Sequence, residues 1–507
     1  NWELCMVDDC STRQETVDYL ASLDDPRIRT LRLEENQGIA RTTNAALAMA
    51  TGEFIGFLDH DDVLTADALL EVVRELQDES VDLVYSDEDK MDVDGRVHGP
   101  VYKPDFSPDY LSSNNYFCHF TVASRALIEA VGGLHYGYDG AQDFDLALRM
   151  SERARAIRHV AKVLYHWRMI PNSTASDASA KPYTWEAGRR ALTDALSRRG
   201  IAGHVDLGPY PNTYHVRRDV AGEPLVSIIV PFRDEPEMLR ACVDSVLGRS
   251  TWRRFELLLV DNQSSQPETA ALLQQLAGRD PRVRVLRWDQ PFNYSALHND
   301  IVAQAQGEYL LLLNNDTEVI TPGWIEALLE HAQRPEVAVA GCRLLYPDDL
   351  VQHAGVIVGI GSFAGHAHHL LPADHPGYMA RPHLLQNVSA VTFACAMMRS
   401  AVFAELGGMD AGNLAVAYND VDFCLRAREK GYLVVYTPHA QLYHHESRTR
   451  GGEDDGAKQR RFAAETAYMH RRHRAVIEHG DPFYNGNFVR PGNSFEIDPD
   501  YAATLPP

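Results

Sequence analysis

GEFIGFLDHDD at residues 52–62 and GEYLLLLNNDT at residues 307–317 are two versions of one motif, and this repeat decides how the chain is organised. Each version is an apolar run of strand length that ends in a polar, acid-bearing cluster, which is typical of a buried strand followed by a loop. Superposing the two places Asp61 over Asp316, 255 residues further on. A unit that recurs in this way indicates a duplicated module.

Four more pairs of residues recur in similar surroundings and in the same order along the chain, as expected for a duplication. The separation is 253 to 255 residues early in the repeat and 277 to 278 residues late in it, so the second copy carries an insertion. The pairs are Asp8 with Asp261, Asn44 with Asn299, Asp143 with Asp420, and His166 with His444.

The repeat predicts a first module at residues 1–202, a connector at 203–222, a second module at 223–480 and a tail at 481–507. The second module opens with the apolar run PLVSIIVP (224–231), which is typical of a buried first strand. Its counterpart falls before residue 1, so we expect the first module to lack its opening strand and helix in this chain.

Short apolar runs alternate with helical patterns in both copies, for example Phe54–Leu58 followed by Ala66–Leu76. This rhythm predicts two tandem Rossmann-like α/β modules with mostly parallel central sheets covered on both faces. Sites in such sheets lie beyond the carboxyl ends of the strands, where the polar clusters of this sequence fall.

Composition excludes several classes of protein. The formal net charge is −23, which argues against a nucleic-acid partner, because phosphate backbones need clustered Lys and Arg. The seven cysteines are scattered without a CxxC pair, so we expect a reducing, cytoplasmic location and neither a disulfide framework nor a zinc site. The longest apolar run, Tyr309–Leu313, is strand-sized and far too short to span a membrane.

The acidic cluster DHDD (59–62) offers the hard oxygen ligands that Mg²⁺ or Mn²⁺ prefers, and such an ion can bridge a diphosphate. The alternative is an acidic loop that caps the next helix. The second copy, NND (314–316), keeps a single carboxylate at this place. We therefore predict Asp61 and Asp316 as metal ligands, with Asp59 and Asn315 in contact with a nucleotide-sugar.

Asp143 and Asp420 each open a DxDxxLR pattern at the start of a predicted helix. A carboxylate there can act as a general base on an attacking hydroxyl, and these two residues are the predicted catalytic bases. The alternative is first-turn acidity that stabilises the helix dipole, which Asp145 and Asp422 illustrate.

Two kinds of histidine stand out. His166 and His444 follow strand-like segments in both copies and are predicted to assist metal binding, although a satisfied structural role is the alternative. The run HAHH (366–369) lies in the insertion of the second copy, where we expect a surface loop or, at most, part of an acceptor site.

Further polar residues follow early strands and are candidates for the nucleotide pocket. For Asp8 and Asp261 the alternative is a turn-forming role, and for the two asparagines it is the capping of a turn. The residues of this set are Asp8, Asp9, Asn44, Pro231, Asp261 and Asn299.

SIIVPFRD, VDN, LNNDTEV, NDVDFCLR and LYHHES together resemble the family-2 glycosyltransferases of the GT-A fold, and the match covers nearly the whole chain twice. The chain looks most like tandem bacterial enzymes of O-antigen or polysaccharide assembly. The resemblance implies Mn²⁺ or Mg²⁺ and a nucleotide diphosphate at the acidic cluster, and an inverting single displacement with Asp143 or Asp420 as base. The late histidines would assist the metal or the diphosphate.

The resemblance also implies partners: a UDP-, dTDP- or GDP-linked sugar donor, a glycan or lipid-linked glycan acceptor, and peripheral association with assembly machinery at the inner membrane. Two alternatives stay open. One module is a non-catalytic scaffold or glycan-binding module, or the chain is a nucleotidyltransferase. The latter needs a Gly-rich, basic loop after its first strand, which PFRD (231–234) does not supply.

Overall fold

The computed structural model describes residues 1–170, 183–446, 456–489 and 495–501. These residues divide into two compact units. The first comprises Asn1–Arg217 and the C-terminal segment that begins at Ile497, and the second comprises Arg218–Glu496.

The first unit alternates strands and helices. Its strands are β1 (Leu4–Asp8), β2 (Ile28–Arg32), β3 (Phe54–Gly56), β4 (Val63–Leu64), β5 (Leu83–Met91), β6 (Val97–Val101), β7 (Thr121–Ser124), β8 (Ile157–Arg168), β9 (Gly203–Leu207) and β10 (Tyr214–Arg218). Its helices are α1 (Gln14–Ala21), α2 (Ile39–Met49), α3 (Ala68–Glu75), α4 (Pro108–Leu111), α5 (Arg125–Val131), α6 (Gln142–Ser151) and α7 (Tyr183–Arg198).

The main sheet of the first unit has the order β3-β7-β5-β8-β4, with β6 beside β5. Strand β5 runs parallel to β8, and β7 runs antiparallel to both β3 and β5. Strands β1 and β2 form a separate parallel pair, and within the described residues no strand joins β1 to β3. Residues 203–218, expected as part of a connector, form the paired strands β9 and β10.

The second unit follows the same plan with more strands. They are β11 (Val226–Phe232), β12 (Phe255–Asp261), β13 (Val283–Arg287), β14 (Tyr309–Leu313), β15 (Thr317–Val319), β16 (Val337–Leu345), β17 (Val351–His353), β18 (Val356–Val358), β19 (Ala364–His366), β20 (Gln386–Asn387), β21 (Cys395–Arg399) and β22 (Leu433–His444). The helices are α8 (Pro236–Arg249), α9 (Pro267–Arg279), α10 (Tyr294–Val302), α11 (Trp324–Ala332), α12 (Ser400–Glu405), α13 (Asn419–Glu429), α14 (Gly456–Arg472) and α15 (Arg474–His479).

The large sheet of the second unit has the order β13-β12-β11-β14-β21-β16-β22-β15. Its first four strands are mutually parallel, and β21 is antiparallel to both of its neighbours. The order β14-β21-β16-β22-β15 repeats the order β3-β7-β5-β8-β4 of the first unit. The fold class is therefore α/β with a Rossmann-like parallel sheet in the second unit, and the duplication is visible in the strand order.

Strand β11 shows why this sequence forms a central strand. All seven of its residues are buried, and alternate side chains enter two different cores. Ile228 and Val230 pack with Val243 of α8, whereas Ile229 packs with Leu297 of α10. A strand covered by helices on both faces needs a continuous apolar run, and that is the pattern of PLVSIIVP. Among the described helices, none combines the length and apolar character needed to cross a membrane.

We predict that Gly188→Ala destabilises the first unit. Gly188 is buried in α7, and a Cβ atom there would lie 1.9 Å from the hydroxyl oxygen of Tyr214. Tyr214 is itself buried and stacks on Phe144, so it cannot move aside. Overpacking of this kind costs about 1–3 kcal/mol, which chemical denaturation would measure.

The matched control is Gly248→Ala in α8, where a Cβ atom would meet nothing within 4 Å. This change removes only the backbone freedom of glycine and should stabilise the second unit by about 0.5–1 kcal/mol. Equal effects of the two substitutions would contradict the packing argument.

Candidate functional site

The acidic loop of the second unit meets the late histidine through one pairing of strands. β15 follows the loop and runs antiparallel to the end of β22, with Thr317 opposite His444. This places Asp316 Oδ1 3.1 Å from His444 Nε2, and both side chains are largely buried. The two predicted metal ligands of the second unit therefore lie side by side, although they are distant in sequence.

Two amides complete this loop. Asn314 Nδ2 lies 3.2 Å from His444 Nε2 and donates to it. The Nδ2 atom of Asn315 is buried, and it has no hydrogen-bond acceptor among the described residues. A buried donor without an acceptor costs free energy, so this amide is suited to an oxygen atom of a ligand.

Asp420 lies in the first turn of α13, partly exposed. Its Oδ1 accepts from Val421 N (2.8 Å) and its Oδ2 from Phe393 N (3.3 Å). Asp422 differs sharply, since it is buried and pairs with Arg426 Nε (2.7 Å) and His473 Nε2 (2.8 Å). The first acid of the motif is thus available to a substrate, whereas the second stabilises the fold.

The first unit has the same frame with a shift of one residue. Val63 of β4 pairs with His166 of β8, so the residue next to the paired position is Asp62. The sequence match aligns Asp61 with Asp316. In the structure, Asp62 rather than Asp61 occupies the position that Asp316 has relative to the late histidine. Asp62 Oδ2 accepts from the Tyr165 hydroxyl (2.5 Å), and Asp61 remains partly exposed.

The carboxylates of the first unit influence one another. Partial removal from water is the main cause that raises the pKa of Asp59, and the charges of Asp62 and Asp143 raise it further. Asp143 is exposed, and its Oδ2 accepts from Asn115 Nδ2 (2.9 Å). The charge of His119 opposes the pKa shift of Asp59. The structure therefore brings Asp62, Asp143 and His119 within electrostatic reach of Asp59.

His119 was not among the residues that the sequence predicted. Burial disfavours its protonation, but the Glu88 carboxylate, 2.9 Å from its Nδ1, more than offsets this and raises the pKa of His119. The ring stacks on Tyr165 with centroids 4.8 Å apart. Lys103 lies behind it and donates to the carbonyl oxygen of His119 (2.8 Å). The first unit thus has a half-buried basic group, His119, beside its acidic cluster, with the buried Lys103 behind it.

Asp8 and Asp261 adopt the same turn in the two units. Oδ1 of each accepts from the backbone N–H three residues on, at Ser11 and Ser264 respectively, both at 2.9 Å. The hydrogen bonds from Ser11 lower the pKa of Asp8. One oxygen of each carboxylate therefore forms the turn. The second oxygen remains for a ligand or for the neighbouring arginine.

The remaining candidates serve the framework. Asn44 exchanges two hydrogen bonds with the backbone of Leu134, and Asn299 does the same with Met409. Asp9 accepts from the N–H groups of Gln37 and Gly38. Pro231 is a buried residue of β11. The structure does not bring these four predicted nucleotide-pocket residues into hydrogen-bonding contact with the acidic loops.

The run 366–369 is not a surface loop, and that prediction was wrong. His368 is 1% exposed, and His366 is half-buried with its Nδ1 2.8 Å from the carbonyl oxygen of Gln352. His369 Nε2 lies 3.0 Å from the Tyr346 hydroxyl. The insertion folds back onto the second unit because β18 and β19 pair with each other and β20 pairs with β22. The alternative, a part of an acceptor site, stays a prediction.

No group of three His, Cys, Asp or Glu side chains is arranged to hold a metal ion in the part of the chain that the structure describes. The second unit nevertheless presents a carboxylate oxygen and an imidazole nitrogen 3.1 Å apart. Mg²⁺ and Mn²⁺ at nucleotide sites commonly take one or two protein ligands and complete their shell with phosphate and water. Asp316 and His444 therefore fit a divalent ion that arrives with a diphosphate.

Comparison with known proteins gives one family for both units. The model of glycosyl transferase family 2 matches residues 1–128 and 227–407. The uncharacterized protein y4gI of Sinorhizobium fredii is 46% identical over 503 residues, 98% of this chain and 55% of the relative. The O-antigen biosynthesis protein RfbC of Myxococcus xanthus is 44% identical over 457 residues, 89% of this chain and 35% of the relative. The chain thus spans about half, or less, of the length of these relatives.

Among solved structures, that of GalNAc-T7 with UDP, GalNAc and Mn²⁺ is similar to this chain with a TM-score of 0.39 and 16% sequence identity. The similarity covers 47% of this chain and 46% of that chain.

Asp420→Asn and Asp422→Asn should separate function from folding within one helix. We expect Asp422→Asn to destabilise the second unit by roughly 3 kcal/mol, because it breaks a buried ion pair with Arg426. Within the described part of the chain, Asp420 accepts hydrogen bonds from backbone N–H groups alone, so Asp420→Asn should change stability little. Thermal melting of both variants is the measurement, and equal losses would show that Asp420 is structural as well.

Proposed function

The chain belongs to glycosyl transferase family 2, and on that premise we propose that it is a metal-dependent, inverting glycosyltransferase with an active site in each unit. Each site would move a sugar from a nucleotide-sugar donor to a growing bacterial surface glycan. The observation that carries the proposal is the pairing of Asp316 with His444 at 3.1 Å beside the buried, unsatisfied amide of Asn315.

The chemistry of the second unit follows from the placement of its groups. Asp420 takes the proton of an acceptor hydroxyl, whose oxygen attacks the anomeric carbon as the bond to the nucleotide diphosphate breaks. A divalent ion held by Asp316 and His444, when bound, neutralises charge on the departing diphosphate. Asn315 donates to a donor oxygen and orients the sugar nucleotide. A single displacement of this kind inverts the anomeric configuration.

The partners follow the same reasoning. The donor is a UDP-, dTDP- or GDP-linked sugar, and the acceptor is a glycan or a lipid-linked glycan at the cytoplasmic face of the membrane. The O-antigen biosynthesis protein among the relatives supports a surface glycan as the product. All seven cysteines are free, which is expected of a protein from a reducing compartment.

One observation favours a second candidate for the first unit, namely a non-catalytic, glycan-binding or scaffolding module. Both Asp62 oxygens already accept hydrogen bonds, from the Tyr165 hydroxyl and from Arg168 N. A carboxylate engaged in this way must give up these two donors before it can bind a cation.

We expect calorimetric titration of UDP, dTDP and GDP to show binding of one nucleotide that requires Mn²⁺. Asp316→Ala should abolish that binding in the second unit, because Asp316 supplies the only carboxylate of that loop. Glu318→Ala, two residues along on β15, is the control and should leave binding unchanged. If no nucleotide binds with any metal, the transferase proposal for this chain fails.

The two units should make different linkages. We expect Asp143→Asn to remove one linkage and Asp420→Asn the other, because each carboxylate serves only its own unit. Linkage analysis of products formed in vitro on short oligosaccharide acceptors is the measurement. Loss of every linkage in both variants would contradict two independent sites, and an unchanged product with Asp143→Asn would assign the first unit to scaffolding.

A further inference from the structure

The imidazole of His444 meets different partners at its two nitrogen atoms. Nδ1 lies 2.6 Å from Oε1 of Gln352, a residue that is 1% exposed. Nε2 faces the acidic loop, 3.1 Å from Asp316 Oδ1 and 3.2 Å from Asn314 Nδ2. Which nitrogen carries the proton therefore decides what His444 can offer to a ligand.

A chain of hydrogen bonds settles that question. Glu446 Oε2 accepts from the Tyr346 hydroxyl (3.0 Å) and from Gln352 Nε2 (2.9 Å). An ionised carboxylate only accepts hydrogen bonds. The NH₂ group of Gln352 must therefore face Glu446, which leaves its Oε1 facing His444. Oε1 is an acceptor, and His444 Nδ1 must therefore be the donor. In the neutral ring the lone pair is therefore on Nε2, which accepts from Asn314 Nδ2 and lies beside Asp316.

The first unit reaches the same arrangement with different residues. His166 Nδ1 lies 2.6 Å from Oδ1 of Asp89, which is fully buried. The other oxygen of Asp89 accepts from the Tyr501 hydroxyl (2.9 Å). Asp89 belongs to β5, whereas Gln352 belongs to β17, which pairs with the counterpart of β5. The duplication alone does not produce this match, because the two acceptors come from strands that do not correspond.

We propose that Gln352 in the second unit and Asp89 in the first are positioning residues, each of which fixes the tautomer and the ring orientation of the late histidine. Nε2 of His444 is thereby directed at the acidic loop as a ligand for a divalent cation, and in the neutral ring of His166 the lone pair is likewise on Nε2. The inference rests on the proposed function, since it concerns the metal site of that function.

The physical consequence is a ligand that is ready before the cation arrives. A hydrogen bond on the distal nitrogen makes an imidazole a better ligand, and loss of such a partner typically weakens metal binding about 10- to 100-fold. Without Gln352, the proton of His444 can move to Nε2 and donate to Asp316, which blocks both ligands at once. The hydrogen bond from His166 to the anionic Asp89 is charge-assisted, whereas that from His444 to the neutral amide of Gln352 is not.

The test is Mn²⁺ binding to the full chain, measured from the electron paramagnetic resonance signal of free Mn²⁺. A His166→Ala background reports the second unit. We expect Gln352→Leu to raise the Mn²⁺ dissociation constant about 10- to 100-fold. The double change Gln352→Glu and Glu446→Gln keeps an acceptor on His444 Nδ1 and supplies an amide donor to it, so this variant should bind like the parent. Tyr346→Phe, which leaves the Gln352 amide on Glu446, is the matched control and should bind like the parent.

A second readout separates positioning from loss of structure. Electron spin echo modulation detects the nitrogen of an imidazole bound to Mn²⁺, and this signal should be present in the parent and lost in Gln352→Leu at saturating metal. Unchanged affinity and an unchanged nitrogen signal in Gln352→Leu would overturn the positioning role alone. A parent chain that binds no Mn²⁺ would overturn the inference together with the metal dependence of the proposed function.

Discussion

Each candidate site depends on one backbone pairing, in which the short strand after the acidic loop runs antiparallel to the end of the long late strand. Thr317 lies opposite His444 in the second unit, and Val63 lies opposite His166 in the first. Paired strands lie about 4.8 Å apart, so this pairing alone makes neighbours of residues that are far apart in sequence. A slip of one residue would turn every side chain to the other face, and the buried sheet around the pairing prevents it.

The two units fill the same frame with different charges. In the loop of the first unit, partial removal from water raises the pKa of Asp59, the charges of neighbouring carboxylates raise it further, and the basic His119 beside them offsets part of that effect. The second unit has one carboxylate, Asp316, where the loop of the first has Asp59, Asp61 and Asp62, which removes the repulsion and leaves Asp316 as the anionic candidate ligand. When β7 and β21 are aligned through their pairing with β3 and β14, Ala394 of the second unit occupies the position of His119. A loop with fewer charges needs no compensating base.

The elements that were predicted correctly from the sequence are those that a local pattern of residues determines. The strand Tyr309–Leu313 was predicted with its observed bounds, and the apolar run PLVSIIVP contains most of the fully buried strand β11. The one-residue shift that brings Asp62 rather than Asp61 next to the paired position was missed, because a tight turn can absorb an extra residue without changing composition. The buried state of His368 was missed for a different reason. A polar run in an insertion looks like a surface loop until the strands around it are seen to pair back onto the sheet.

The restraint on the late histidines bears on whether the first unit is a working site. A histidine with a purely structural role is held by packing, and it does not matter which of its nitrogens is protonated. In both units, however, Nδ1 meets a buried acceptor at 2.6 Å. These acceptors, Asp89 and Gln352, come from strands that do not correspond, and each is anchored in turn by a hydrogen bond from or to a further side chain. Two different residues thus fix the protonated nitrogen of the late histidine, which indicates that this restraint is needed in both units. This favours a ligand-binding first unit over a purely structural one, even though Asp62 is already engaged by Tyr165.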